Sequence, residues 1–217
     1  MARRTLTIAA ALAATATLLL TACGGSNDDS SDDIKGAETG ASSPSASASG
    51  ASDADRPDVS VPKDLDLVFD FDKPSDAKQA AALADAQNYI RALDHGIAQQ
   101  DPDDPAYQFY SDGNASQYAK SQIQAWVKGG WTVTGTDRYY NADTDTLSDG
   151  KRVLVNFCRN QAKFYGKEIK TKKVLRTKES LTSFQKFTML MFPPSGSSQV
   201  WKTQVIEVKG KAKECQE

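Results

Sequence analysis

The spacing of apolar and polar positions changes character four times along this chain. Thr5 to Leu20 is an uncharged, Ala/Leu-rich run. It falls short of the ~20 apolar residues that a membrane-spanning helix needs. Gly24 to about Pro62 holds almost no large apolar side chain and is built from Ser, Ala, Gly and Asp. Such a stretch cannot bury enough surface to offset its ordering entropy. From Asp64 the period is two. Leu65, Leu67, Phe69 and Phe71 alternate with Asp64, Asp66, Val68, Asp70 and Asp72, which predicts an edge strand with one apolar and one acidic face. Carboxylates spaced two apart on a strand share a surface but form no loop that would wrap a calcium ion, so a solvated face is the expectation.

The period then becomes helical. Ser75 in Pro74-Ser75-Asp76 is a good N-cap. Leu83, Ala86, Ile90, Leu93 and Ile97 recur at three and four residues, flanked by Tyr89, and predict a helix to about Gln100. His95, the single histidine, falls roughly opposite this stripe and reads as a surface residue. Asp101-Pro102-Asp103-Asp104-Pro105 ends the helix, and Ala106 to Tyr110 forms a helical turn. Asn114 or Ser116 caps a further helix that runs through Lys128 and stops at Gly129-Gly130.

From Trp131 the residues favour strands. The segments are Trp131 to Tyr140, Lys151 to Arg159, Ala162 to Arg176, Ser183 to Phe192 and Gln199 to Lys209. Asn141 to Gly150, Asn160-Gln161 and Pro193 to Ser197 are the turns between them. Helices followed by about five strands in hairpin steps predict an α+β fold, with the N-terminal helices packed on a curved antiparallel sheet.

Charge adds a division that hydropathy does not show. Gly24 to Gly150 carries 9 Lys/Arg against 23 Asp/Glu, whereas Lys151 to Glu217 carries 15 against 5. The chain is electrically bipolar, which bears on partners rather than on fold.

The N-terminus resembles a bacterial lipoprotein precursor of the actinobacterial type. Met1-Ala2-Arg3-Arg4 is a basic n-region, Thr5 to Leu20 an apolar h-region, and Leu20-Thr21-Ala22-Cys23 fits the lipobox. The resemblance implies cleavage before Cys23 and a diacylglycerol on its thiol. Two acyl chains suffice for stable anchoring. The implied organisation is a signal peptide at 1–22, a lipidated Cys23 with a Ser/Ala/Asp-rich tether at 23–62, and one globular α+β domain at 63–217. The implied location is the extracytoplasmic face of the cell membrane. With Cys23 lipidated, Cys158 and Cys215 remain as an even pair in a compartment where disulfides persist, and a Cys158–Cys215 bond is the expectation. Two buried thiols are the rival. The compartment also argues against a nucleic-acid partner.

The element order is similar to the NTF2-like (cystatin-like cone) fold. The stripe Leu83 to Ile97 carries that likeness, with the helix-to-strand run Ile123-Gln124-Ala125-Trp126-Val127-Lys128-Gly129-Gly130-Trp131-Thr132-Val133. That family holds enzymes, such as ketosteroid isomerases and polyketide cyclases, beside many non-catalytic binding and assembly domains. The fold therefore does not give the function.

Three groups of residues invite a chemical reading. Asn141 to Gly150 has Asp143 and Asp145 at calcium-loop spacing, but Leu147 takes a ligand position and Leu154 stands where a closing Glu is needed. A solvated hairpin loop is expected there, and neither a metal site nor a cofactor. Lys163, Lys167, Lys170, Lys172, Lys173, Arg176 and Lys178 form a basic stretch suited to an anionic envelope partner, or to guarding a sheet edge. Asp94, Asp137, Tyr139 and Tyr140 are the residues available for a polar group inside the cone, where a carboxyl beside a tyrosine would transfer protons. The plainer expectation is that the tyrosines are wall packing and both aspartates face solvent. The sequence thus predicts a ligand- or partner-binding module in the envelope. The alternatives are an isomerase, cyclase or dehydratase, and a structural accessory of an envelope complex.

Overall fold

The computed structural model describes residues 56–217. The expected signal peptide, Cys23 and the expected tether up to residue 55 lie outside them. Three helices, α1 (Ala77–Gln99), α2 (Pro105–Tyr110) and α3 (Gly113–Gly129), pack on one curved sheet of six strands. The strands are β1 (Leu65–Asp70), β2 (Trp131–Thr146), β3 (Val153–Glu168), β4 (Val174–Leu175), β5 (Phe184–Phe192) and β6 (Lys202–Gly210). They lie in the order β1-β2-β3-β5-β6, with the short β4 paired to β3 beside that path. The α+β cone is the architecture expected from the element order.

Several boundaries differ from the sequence expectation, each for a local reason. β1 is the edge strand, but it pairs parallel to β2, from Leu65 opposite Gly135 to Asp70 opposite Tyr140. The three helices form the long crossover that a parallel pair needs. Asp76, one residue after Ser75, caps α1 by accepting the Gln79 N–H at 2.9 Å. Asp112 precedes α3, which therefore starts before Asn114. β3 runs unbroken through Asn160-Gln161, because both flanks of that dipeptide keep pairing with β2. β2 likewise continues through Asn141, with register shifts between Thr136 and Arg138 and between Tyr140 and Asp143. The hairpin turn is thereby confined to Leu147 through Arg152, where the Leu147 N–H donates to the Arg152 carbonyl at 2.9 Å. Residues 56–62, expected to belong to the tether, lie on the domain. Val59 and Val61 pack on its core, and Arg56 donates to the buried Asp85 at 2.6 Å.

Two glycines permit close approaches. A Cβ on Gly96 of α1 would stand 2.6 Å from Ile123 Cδ1 of α3, so these helices meet backbone to side chain. Gly135 has φ +100, and a Cβ there would strike the Lys163 carbonyl of β3.

The core lies between the helices and the sheet. Leu83, Ala86, Tyr89, Ile90 and Ile97 of α1 meet Val133 and Tyr139 of β2, Val153, Val155 and Phe157 of β3, and Phe187, Met189 and Met191 of β5. A smaller cluster occupies the opposite face of the sheet: Tyr140, Cys158, Phe184, Ala212 and Cys215. Cys158 and Cys215 are disulfide-bonded across a separation of 57 residues. The Tyr140 hydroxyl donates to the Cys215 carbonyl. Among the described residues no helix is long and apolar enough to cross a membrane.

Cross-linking residues 57 apart restricts the unfolded chain by about 4 kcal/mol in the chain-entropy estimate. Reduction, or Cys158→Ala with Cys215→Ala, is expected to lower the urea-unfolding free energy by that order. A midpoint unchanged by reductant would show that the bond does not staple the fold.

Candidate functional site

α1, β2 and β3 each deliver one charged residue to the same end of the core. Asp94 follows Ile90 by four residues and precedes Ile97 by three, so the helical period turns it inward with the apolar stripe. Asp137 sits beside a register shift in β2 and is wholly buried. Arg159 continues the inward alternation of Val153, Val155 and Phe157 along β3. The expectation that Asp94 and Asp137 face solvent is therefore incorrect. Their exposures are 3% and 0%.

Arg159 and Asp137 form a tight ion pair. The Arg159 Nε donates to both Asp137 oxygens at 2.8 and 2.9 Å, and Nη2 donates at 2.6 Å. Nη1 donates to Gln185 Oε1 at 3.0 Å, and the Tyr139 hydroxyl donates to Asp137 at 2.7 Å. The guanidinium also stands over the rings of Phe164, at 4.8 Å, and Tyr139, at 5.7 Å. Burial works against the Arg159 charge, but Asp137 and Tyr139 outweigh it and hold the guanidinium pKa above its ordinary value. Burial pushes the Tyr139 hydroxyl well up, so it stays protonated and donates.

Asp94 is different. Among the described residues its carboxyl makes no hydrogen bond. It faces a cavity of about 170 Å³. Ile90, Leu93, Ile97, Tyr118, Phe164 and Phe187 give that cavity apolar walls, and Gln122, Gln161, Gln185 and Arg159 give it polar ones. Burial first, and the Asp137 charge second, push the Asp94 carboxyl up to about 8 against the opposing pull of Arg159. A neutral acid in the wall of such a mixed cavity both donates and accepts a hydrogen bond.

The other sequence-derived candidates disperse. Tyr140 does not join the cavity. Alternation along β2 sends it to the opposite face, under Arg138 at 4.7 Å and against the disulfide. His95 is not a surface residue, for its side chain is 13% exposed and Nδ1 lies 2.9 Å from Asp104, which caps α2. Lys167 is paired with Asp64 at 2.5 Å, and Arg176 lies over Tyr165 at 5.2 Å. Lys163, Lys170, Lys172, Lys173 and Lys178 are exposed. Among the described residues no three His, Cys, Asp or Glu side chains converge as a metal site would require.

Arg159 and Gln185 were not among the sequence candidates. The period-two signal that identified Val153, Val155 and Phe157 also marks Arg159, and Phe187 and Met189 mark Gln185 in the same way. Asp94 was equally legible as the fourth residue after Ile90.

No family model and no curated protein matches this chain. Two solved structures do. The intermembrane-space region of the chloroplast protein ARC6 is 12% identical with a TM-score of 0.35, over 59% of this chain and 96% of that one. A candidate polyketide cyclase from Xanthomonas campestris pv. campestris is 14% identical with a TM-score of 0.29, over 59% of this chain and 92% of that one. The functional reading rests on this chain's own residues.

The raised Asp94 pKa makes stability depend on pH. Between the ordinary value of 3.8 and about 8, the folded chain keeps a proton that the unfolded chain has lost. Stability therefore falls as pH rises through that window and levels off above it. Asp94→Asn removes this slope and is expected to gain about 3–4 kcal/mol relative to the parent between pH 5 and pH 8. Urea unfolding at both pH values checks this, and parallel pH profiles would refute it.

Proposed function

We propose that this chain is a membrane-anchored extracytoplasmic lipoprotein whose cone domain binds a small molecule in the cavity beneath α1. The anchor reading rests on the basic n-region, the apolar run and the lipobox ending at Cys23. The binding reading rests on one observation. Asp94 and Arg159 line the same cavity, whose wall is part polar and part apolar, and Asp94 has no hydrogen-bonding partner among the described residues.

The polar end suggests the ligand class. A guanidinium has five N–H donors. Asp137 and Gln185 occupy the Nε donor and one on each terminal nitrogen, which leaves one on each unassigned. Arg159 is balanced by Asp137, and Asp94 is neutral near pH 7. A neutral carbonyl oxygen fits this arrangement without adding a buried charge. Cavities of about 150 Å³ hold a benzene-sized ring. The ligand class is thus a ring-sized carbonyl compound.

The Asp94 value also favours a second reading, a proton-transfer enzyme. A carboxyl titrating near the working pH is suited to act as a general base beside a bound carbonyl. Exchange of the α-protons of a bound ketone into deuterated water separates the two, since a binding module leaves that rate unchanged.

Acetophenone, ethylbenzene and benzylamine form a probe series of similar size. Acetophenone is expected to bind the folded protein at least about tenfold more tightly than ethylbenzene, a difference of one good hydrogen bond. Gln122→Trp, which fills the cavity from α3, is expected to abolish binding. Equal binding of all three probes, no binding of acetophenone, or binding that survives Gln122→Trp would each overturn the assignment.

A further inference from the structure

A second concavity opens on the surface and shares Trp126 with the cavity as a wall. Ala125, Trp126, Trp131, Gly166, Leu175 and Thr177 line about 280 Å³ of it. Its wall is almost wholly apolar, and Trp131 is 39% exposed. Trp131 packs edge-on against Trp126, with ring centroids 6.4 Å apart, so it is held in place at the surface.

The rim is basic. Trp131 lies opposite Glu168 in the sheet, and the Ile169 N–H donates to the Gly130 carbonyl at 3.0 Å. The β3–β4 turn with Lys170, Lys172 and Lys173 is thereby fixed beside Trp131. Lys128 precedes it on α3, and Lys178 follows Thr177. From Lys167 to Lys178 there are six Lys/Arg and one Glu. An exposed indole beside a lysine-rich turn has the chemistry of the bilayer interface, where amphipathic rings sit at headgroup level and lysines face anionic lipid.

We propose that this groove docks on an anionic phospholipid surface, as a second membrane contact beside the lipid on Cys23. The inference rests on the anchor reading for its choice of a bilayer over other anionic partners. Arg56, where the described chain begins, is pinned to Asp85 of α1 at 2.6 Å, and Asp85 also accepts the Trp201 N–H at 2.9 Å. At the far end of α1, Gln100 donates to the Trp131 carbonyl at 2.9 Å. The helix between them spans roughly 22 Å. The chain from Cys23 to Arg56 extends at most about 120 Å. The groove therefore lies within reach of the bilayer that holds the anchor. Confinement by a tether keeps the effective concentration high, so a weak contact is sufficient. Because Trp126 walls both concavities, docking turns this side of the ligand cavity toward the lipid.

The test uses the mature chain with Cys23→Ser, which takes no lipid, and vesicles of phosphatidylcholine with and without phosphatidylglycerol. Binding is expected only with phosphatidylglycerol, to be lost in high salt, and to shift tryptophan emission to the blue. Trp131→Ala is expected to weaken it about tenfold, and Lys170→Ala, Lys172→Ala and Lys173→Ala together about a hundredfold. Equal binding to phosphatidylcholine alone, no vesicle binding, or insensitivity to both variants would overturn it. So would retention on a soluble wall polymer or on a peptide of the Asn27–Asp33 acidic cluster without vesicle binding. The mass of Cys23 in the wild-type membrane fraction is measured separately. Lipidated Cys23 with no vesicle binding sinks only the docking face, and unmodified Cys23 with vesicle binding sinks only the anchor.

Discussion

The ion pair between Arg159 and Asp137 is the constraint on which the polar end of the cone depends. A carboxylate with no exposure is tolerable in this core only because three hydrogen bonds from one guanidinium and one from Tyr139 surround it. The pair also sets the chemistry of its neighbour. Burial first, and the Asp137 charge second, discourage ionisation of Asp94 against the pull of Arg159, and the resulting neutral acid faces the cavity. Gln185 and Phe164 hold the guanidinium from two further directions. A different partner for Arg159 would alter the protonation of Asp94 without touching Asp94 itself.

The two faces of the sheet do different work, and strand alternation decides which residue goes where. Inward positions on β2 and β3 give Asp137, Tyr139 and Arg159. Outward positions give Arg138, Tyr140 and Cys158. The outward set holds the C-terminus through the disulfide, through the Tyr140 hydroxyl on the Cys215 carbonyl, and through the Arg138 pair with Glu217, while Arg138 also ties β1 through Asp70. The sheet is thus stapled from behind while its front face carries the cavity.

Much of the architecture was legible from periodicity. The α1 stripe, the Gly129-Gly130 stop, the edge strand at Leu65 and the β5 and β6 segments all stand near their expected places. The errors follow a pattern. Asn160-Gln161 and Asn141 read as turns from composition, yet pairing with a neighbouring strand carries the backbone straight through them, and sequence alone does not supply that neighbour. Asp94 and Asp137 were expected at the surface, although the helical period turned Asp94 inward, and Arg159 was not singled out although strand alternation pointed it inward. Tyr140 was grouped with Tyr139 by adjacency, although a strand sends neighbours to opposite faces. His95 was placed by helix face alone, and Asp104, which covers it, comes from the following loop. The site was less legible than the fold because its polar members interrupt the hydrophobic pattern by which a core is recognised.

A double-mutant cycle on the ion pair tests this account most directly. Asp137→Leu and Arg159→Met, measured singly by urea unfolding, are each expected to cost about 3–5 kcal/mol, because each leaves a buried polar group without its partner. The combined Asp137→Leu and Arg159→Met variant is expected to lose far less than the sum. Single costs below about 1 kcal/mol that simply add would mean that the pair behaves as a solvated surface bridge, and would contradict the claim that it organises the cavity.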